Sequence, residues 1–398
     1  MKIRKIFSKI YENIDNNQIL LLIWARQVGK TTLMKQIQKK ILEEKWNLKT
    51  YFLNLEDFEI KNYLNSHPKK LFEITWAEPK EKQIVFIDEI QYLDNPTNFL
   101  KYIYDEYKDT VKLIVSWSSS FYIDQKFKDS LIGRKKIFNI YTLDFEEFLD
   151  FKEELQIKEI LFKNKKIPLL YKNDIERLFL EYITYWWYPE IVQIKDNGEK
   201  IERLNDFIKD YIKKDIYDSN IADIDKFLAI LKTLANQTWE LLNANEIANT
   251  FDLSLPTVEK YIYIMQKSFH IAIIRPFHKN IKKELTKMPK VYFYDLGFRN
   301  ALLKNFDNIK LRVDKWNTLE NIYFREFLFK YWLENIKFWR TQNKNEVDFI
   351  IEEKKAYEIK FNKKLIKESK YELFRKNYPE FNLEFLTYDD VISFIINN

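Results

Sequence analysis

The 398-residue chain has no cysteine, only four glycines and only three histidines. Without cysteine, disulfides and thiolate metal sites are excluded, and a reducing, cytoplasmic setting is expected. His67, His270 and His278 are too scattered to propose a zinc cluster. No apolar run approaches the ~18 residues of a membrane-spanning helix, so no membrane partner is expected. The stretch MKIRKIFSKIYENI places Ile3, Ile6, Phe7, Ile10 and Ile14 at helical spacing, which reads as an amphipathic helix rather than a signal peptide. Neither sign of charge dominates: 66 Lys and Arg face 60 Asp and Glu, a net +6 that by itself argues weakly for a nucleic-acid partner. A single core stops growing near ~250 to 300 residues, so several modules are expected.

The glycine shortage is far below the ~7% of ordinary proteins, while tryptophan occurs ten times. Trp24, Trp46, Trp76, Trp117, Trp186, Trp187, Trp239 and Trp316 fall mostly at turn-like or strand-end stretches, where positive φ or close backbone approach often demands glycine. The chain is also rich in Ile, Lys, Asn, Phe and Tyr, as products of A+T-rich genes are. Some bacterial lineages read UGA as glycine, and translating such a gene with UGA as tryptophan would give this pattern. The expectation is that Trp24, Trp117, Trp186, Trp187, Trp239 and Trp316 stand for glycine. Trp332 and Trp339 lie in apolar contexts that suit a genuine tryptophan.

The segment LLLIWARQVGKTTL matches G-x-x-x-x-G-K-[ST] except that Trp24 holds the first glycine position. Apolar residues Leu20 to Ile23 read as a buried parallel strand, and LMKQIQKKILEE as the following helix. In that context Trp24, Ala25, Arg26, Gln27, Val28, Gly29, Lys30, Thr31 and Thr32 form a phosphate-cradling loop. Lys30 reaches the β/γ oxygens of ATP and the Thr31 hydroxyl ligates Mg²⁺. Downstream, IVFIDEIQYL is an apolar strand ending in two acids: Asp88 is placed to hold Mg²⁺, and Glu89 to orient or deprotonate the attacking water. KLIVS is a further strand. Its serine-rich end, Ser116 to Ser120, supplies Ser118 or Ser119 as a γ-phosphate sensor.

WARQVGKTTL, FLNLED, FIDEIQ, SWSSS, LIGRKKIF with LDFEEFL, and YWWYPE resemble prokaryotic AAA-type ATPases, relatives of the STAND and archaeal ATPases, that carry a winged-helix region and a nuclease-like C-terminal domain. The corresponding stretches in that family usually read GARQVGKTTL, SGSSS and YGGYPE, so the departures are the tryptophans. The resemblance spans nearly the whole chain. It implies a γ-phosphate-sensing or finger-like role for Arg134, in cis or in trans, and a place near the adenine for Pro189.

Beyond the loop and strands, Phe145, Phe148, Leu149, Ile175, Leu178, Phe179 and Tyr182 recur at helical spacing and suggest a helical lid. LLNANEIANTFDLSLPTVEKYIYIMQKSFHIAIIRPF then reads helix, turn, helix, strand, with Ile247, Ala248, Val258, Ile262 and Met265 inward and Ser254 as N-cap. This resembles a winged helix, and the basic run HKNIKKELTKMPK could track phosphates beside it. In the last segment Glu320 lies on a helix, Asp348 begins a strand, and Glu358 and Lys360 alternate on another strand so that both project from one face. These match the PD-(D/E)XK nuclease pattern, in which Glu320, Asp348 and Glu358 bind Mg²⁺ and Lys360 positions water.

The fold class expected is therefore α/β: a P-loop NTPase parallel-sheet domain over 1–150, a helical lid over 151–230, a winged helix over 231–290 and a small α/β nuclease-like domain over 291–398. The function expected is an ATP-binding, Mg²⁺-dependent ATPase that couples nucleotide state to the winged-helix and nuclease-like region. Alternatives are an ATP-regulated nucleic-acid endonuclease and a non-catalytic ATP-binding switch. The partners expected are ATP, with DNA or other nucleic acid and a homo-oligomer left open.

Overall fold

Five short segments, three of them far richer in Ile, Leu, Val and Phe than in polar residues, form the strands in the first part of the chain. In the computed structural model they are β1 (Ile19–Trp24), β2 (Lys49–Asn54), β3 (Gln83–Asp88), β4 (Val111–Trp117) and β5 (Lys135–Ile140). They pair in parallel in the order β2-β3-β4-β1-β5. A parallel sheet is covered by helices on both faces, which is why β3 is buried at every position. The structure describes residues 2–397 except 25–28, 46–47, 118–130, 186–187, 220, 279–283, 285–286, 344 and 352–353; of Trp24, Lys214, Asp215 and Asp218 only the backbone is described.

This sheet belongs to one of two compact units, Met1–Thr142 with Lys267–Phe269; the other is Leu143–Gln266 with His270–Asn398. The helices of the first unit start where their sequences say they should. Asp57 caps Phe58–Ser66 by accepting from the amides of Glu59 and Ile60, and Asn95 caps Pro96–Tyr107 with Pro96 in the first turn. The N-terminal helix is shorter than its spacing suggests. It covers Ile6–Tyr11 and buries Phe7 and Ile10, while Ile3 is 57% exposed and lies outside it.

In the second unit, helices Phe145–Phe151, Lys172–Thr184, Pro189–Gln193, Asn197–Asp218 and Ile224–Asn236 precede a helix–turn–helix of Ala244–Phe251 and Leu255–Lys267. Ile247, Ala248, Val258, Ile262 and Met265 are buried there, and the Ser254 hydroxyl accepts from the Thr257 amide. A six-stranded sheet follows, built from β6 (Ile271–Pro276), β7 (Lys290–Phe293), β8 (Ile336–Arg340), β9 (Glu346–Ile351), β10 (Lys355–Lys360) and β11 (Asn382–Thr387). Its order is β11-β10-β9-β8-β6-β7. The hairpin β6–β7 that follows the helix–turn–helix is thus continuous with the C-terminal strands, because β6 pairs in parallel with β8 through Arg275 and Lys337. The helix Lys315–Lys330 is buried from Thr318 to Leu328, which explains its weak amphipathic pattern. Trp339 packs edge-on against Phe374 with ring centroids 5.2 Å apart, a core role for a tryptophan.

Among the described residues, two of the nine non-glycine residues with positive φ are tryptophans. Trp76 closes helix Lys70–Thr75 at φ 50 and is 91% exposed, and Trp239 stands at φ 74. Both occupy the left-handed region that glycine enters without penalty. Trp117 ends β4 fully buried, and Trp316 lies in the first turn of helix Lys315–Lys330, where glycine has no conformational advantage.

Candidate functional sites

The carboxyl ends of β1, β3 and β4 lie side by side in the middle of the parallel sheet, and in sheets of this kind ligands bind in the crevice beyond the strand ends. From β1 the chain passes through the loop to Gly29, whose φ of 85 and ψ of 33 turn it into the helix Lys30–Glu44. Having no side chain, Gly29 offers no cap to the first-turn amides, and a helix start without a side-chain cap is suited to an anion. Lys30, in that first turn, donates from Nζ to Glu89 Oε1. The Thr31 hydroxyl donates to Asp88 Oδ2 at 2.7 Å. Asp88 is only 3% exposed and Glu89 7%.

Glu89 itself has φ 58, a left-handed backbone that swings its carboxylate out of the strand line. Ser116 holds it there. This fully buried hydroxyl accepts from the Glu89 amide at 2.7 Å and donates to Asp88 Oδ1, while Gln91 Nε2 donates to Glu89 Oε2. One ammonium, two hydroxyls and two carboxylates therefore meet beside an open helix start. That donor set fits a polyphosphate and a divalent cation: Lys30 and the helix amides would hold phosphate, and Thr31 and Asp88 the cation.

The sequence reading named Ser118 at the end of β4, which lies outside the described residues, as do Ala25, Arg26, Gln27 and Val28. The serine that contacts both acids is Ser116. Its place follows from the parallel register in which Val115 faces Ile87, a relation the spacing within either strand does not contain. Gln91 was likewise passed over, although it lies two residues beyond Glu89. Trp24 is the last residue of β1 and pairs with Ile140; Thr32 lies in the first turn of the helix.

Arg134 is not brought to this crevice within the chain. Its carbonyl accepts from the Ile19 amide at 2.8 Å, and Ile19 pairs with Lys135, so it stands at the opposite, amino-terminal end of the strands. The six-residue length of β1 separates it from the loop by roughly 20 Å. There its guanidinium binds Asp105, with Nε 2.6 Å from Oδ1. The reason is topological: a residue preceding a parallel strand lies at the end away from the nucleotide loop. Pro189 opens the helix Pro189–Gln193 of the second unit.

The second unit holds a separate cluster. Glu320 comes from helix Lys315–Lys330, Glu346 and Asp348 from β9, and Glu358 and Lys360 from β10; all four acids are buried or nearly so. Lys360 Nζ bonds to Glu358 Oε1, which also accepts from the Tyr371 hydroxyl at 2.7 Å. Asp348 Oδ2 accepts from the Ile359 amide at 2.9 Å. Between the acids lies Lys290, the first residue of β7 and the last of the basic run. Its Nζ is 3.1 Å from Glu320 Oε1, ion-paired with Glu346 and 3.6 Å from Asp348 Oδ1. The lysine read as a phosphate-tracking cation is thus fully buried. Burial, then the neighbouring Asp348 charge, pushes the Glu320 carboxyl up to about 8 and Glu358 to about 7. Lys290 is raised instead, because the charges of Glu320, Asp348 and Glu346 outweigh its burial. Among the described residues, no group of three or more His, Asp or Glu side chains is arranged to hold a metal ion.

The parallel order, the glycine-turned helix start and the paired acids at the end of β3 are the parts of a P-loop nucleotide-binding domain. Residues 16–149 match the model of an AAA domain, and residues 176–308 match a domain of unknown function, DUF8612. The chain is similar to uncharacterized protein MJ1544 of Methanocaldococcus jannaschii, at 26% identity over 396 residues, covering 94% of this chain and 83% of that one. It is also similar to uncharacterized protein MJ1637 of the same organism, at 26% identity over 313 residues, 74% of this chain and 64% of that one. Among solved structures, domain III of the Thermotoga maritima replication initiation protein DnaA aligns at TM-score 0.32 and 16% identity, covering 48% of this chain and 82% of that chain. The S. cerevisiae Hsp104–ADP complex aligns at TM-score 0.34 and 15% identity, covering 66% of this chain and 39% of that chain. No helix among the described residues is long and apolar enough to cross a membrane.

Proposed function

We propose that the protein is an ATP-binding, Mg²⁺-dependent ATPase whose nucleotide state is passed to its second unit, an effector region of winged-helix and nuclease-like type. The observation that carries this reading is the meeting of Lys30 with Glu89 and of Thr31 with Asp88 beside the Gly29 turn. Lys30 engages Glu89. A γ-phosphate is the stronger partner for that ammonium, so ATP frees the Glu89 carboxylate to accept a proton from, or align, the water that attacks the γ-phosphorus. The bond from that phosphorus to the bridging oxygen breaks as the new one forms. Mg²⁺ would neutralise the phosphate oxygens from the Thr31 and Asp88 side. Ser118 is proposed as the γ-phosphate sensor and Pro189 as a neighbour of the adenine, and a role for Arg134 would require a second copy of the chain.

Nucleic acid is the partner proposed for the second unit, on the helix–turn–helix order and the basic run that follows it. We also hold that tryptophan at the six glycine-like positions stands for glycine; the φ of 74 at Trp239 supports this there.

Nucleotide binding and turnover measured side by side test the ATPase reading. Lys30→Ala should lose affinity for ATP, while Glu89→Gln should bind ATP and slow hydrolysis by about 10²- to 10⁴-fold. Wild-type turnover in Glu89→Gln would defeat the assignment.

A further inference from the structure

The acidic cluster of the second unit already contains a cation. Lys290 Nζ lies at 3.1 Å from Glu320, pairs with Glu346 and stands 3.6 Å from Asp348, so one ammonium reaches acids from a helix and from β9 at once. Beside the acids stands one ring: Nζ is 5.4 Å from the centroid of Phe338. Carboxylates on one side and a ring face on the other suit a monovalent cation. The lysine has no freedom to leave by a simple side-chain swing. Its side chain is fully buried, and its backbone is pinned in β7 opposite Ile274 and bridged to Leu241.

Several of the acid oxygens have further partners. Glu320 Oε1 also accepts from the Tyr292 hydroxyl, Glu346 Oε2 accepts from Arg340 at 2.7 Å, and Asp348 Oδ2 takes the Ile359 amide. Lys290, Lys360 and Arg340 together set three fixed positive charges against the four acids. A divalent cation needs several carboxylate oxygens within ~2.0 to 2.6 Å of one point. Here the point shared by Glu320, Glu346 and Asp348 is held by the ammonium.

We propose that Lys290 is the resident cation of this centre, so that the nuclease-like module is closed to divalent metal and its acids serve to lock the β6–β7 hairpin onto β9 and the Glu320 helix. The module then acts as a rigid binding or scaffolding element. Lys290 decides between that state and a metal site: with the ammonium gone, the same acids are left with excess negative charge around an opening of cation size.

Mn²⁺ binding followed by electron paramagnetic resonance, on the full chain without nucleotide, tests this. In the wild type, Asp348→Asn should leave Mn²⁺ binding unchanged. Lys290→Ala should gain a single further Mn²⁺ site at least about tenfold tighter than any wild-type binding, and Lys290→Ala/Asp348→Asn should lose it. A wild-type Mn²⁺ site that vanishes in Asp348→Asn overturns the proposal, as does a folded Lys290→Ala that gains none. If Lys290→Ala does not fold, the wild-type comparison still decides. The nucleotide crevice is scored separately by ATP affinity, which neither Lys290 nor Asp348 should alter.

Discussion

Ser116 offers the sharpest probe of the nucleotide crevice, because one buried hydroxyl serves both acids. It accepts from the Glu89 amide at 2.7 Å and donates to Asp88 Oδ1. Ser116→Ala deletes a single oxygen and leaves no room for water in a fully buried position. The Glu89 amide then loses its partner, at about 1–3 kcal/mol, and Asp88 loses a charge-assisted bond of about 1.5–3 kcal/mol. The two losses share one atom and are not additive, so about 2–4 kcal/mol is expected. For a unit of this size each kcal/mol is worth roughly 2–4 °C, placing the fall in Tm of the first unit near 5–15 °C. Glu89 also sits at φ 58, a conformation that costs about 1–2 kcal/mol and persists only while its surroundings hold it. Once released, its carboxylate shifts, and a displacement of about 1 Å is enough to slow hydrolysis about 10²-fold. Denaturant unfolding combined with ATP turnover reads both effects. A Ser116→Ala protein with wild-type Tm and wild-type turnover would refute the reasoning.

Further outcomes are expected. Lys112 Nζ donates to the carbonyls of Asn13, Asn16 and Gln18 at 3.0, 2.5 and 2.6 Å, so Lys112→Met should destabilise the first unit by about 2–3 kcal/mol in urea titration; an unchanged midpoint would contradict the pinning role. Burial pushes the Asp314 carboxyl up, but hydrogen bonds from Arg312 and the Arg299 charge outweigh it and hold it at about 2 against an ordinary 3.8. Its contribution is present above about pH 4 and lost as pH falls through about 2; discounted for partial solvent exposure it amounts to about 1 kcal/mol. The difference in stability between wild type and Asp314→Asn should therefore shrink from pH 5 to pH 2, and a constant difference would exclude the linkage. Trp76→Gly should raise stability by about 1 kcal/mol by relieving an exposed left-handed residue, and Trp24→Gly should bind ATP more tightly than the printed sequence. Peptide mass spectrometry on the source organism, showing glycine at Trp24, Trp117, Trp186, Trp187, Trp239 and Trp316, is the direct check; tryptophan at those sites would end the codon reading.

Local order carried much of this molecule in its sequence. A continuous apolar run before Gly29, Lys30 and Thr31, and another ending in Asp88 and Glu89, dictate a strand, a glycine-turned helix start and two acids at a strand end, because each depends on neighbours a few residues away. The inward faces of the helix–turn–helix follow from 3.6-residue spacing for the same reason. What lies across strands was decided by tertiary structure. Ser116 rather than Ser118 meets Asp88 because β3 and β4 run parallel in one register. Arg134 stands at the far end of the strands because it precedes a strand parallel to β1. Lys290 looks in sequence like one more lysine of a basic surface run, yet the pairing of β7 with β6, and of β6 with β8, carries it into the acids of β9 and the Glu320 helix. Spacing along the chain specifies which face a side chain leaves from; only the non-local pairing of strands specifies which charge it meets there.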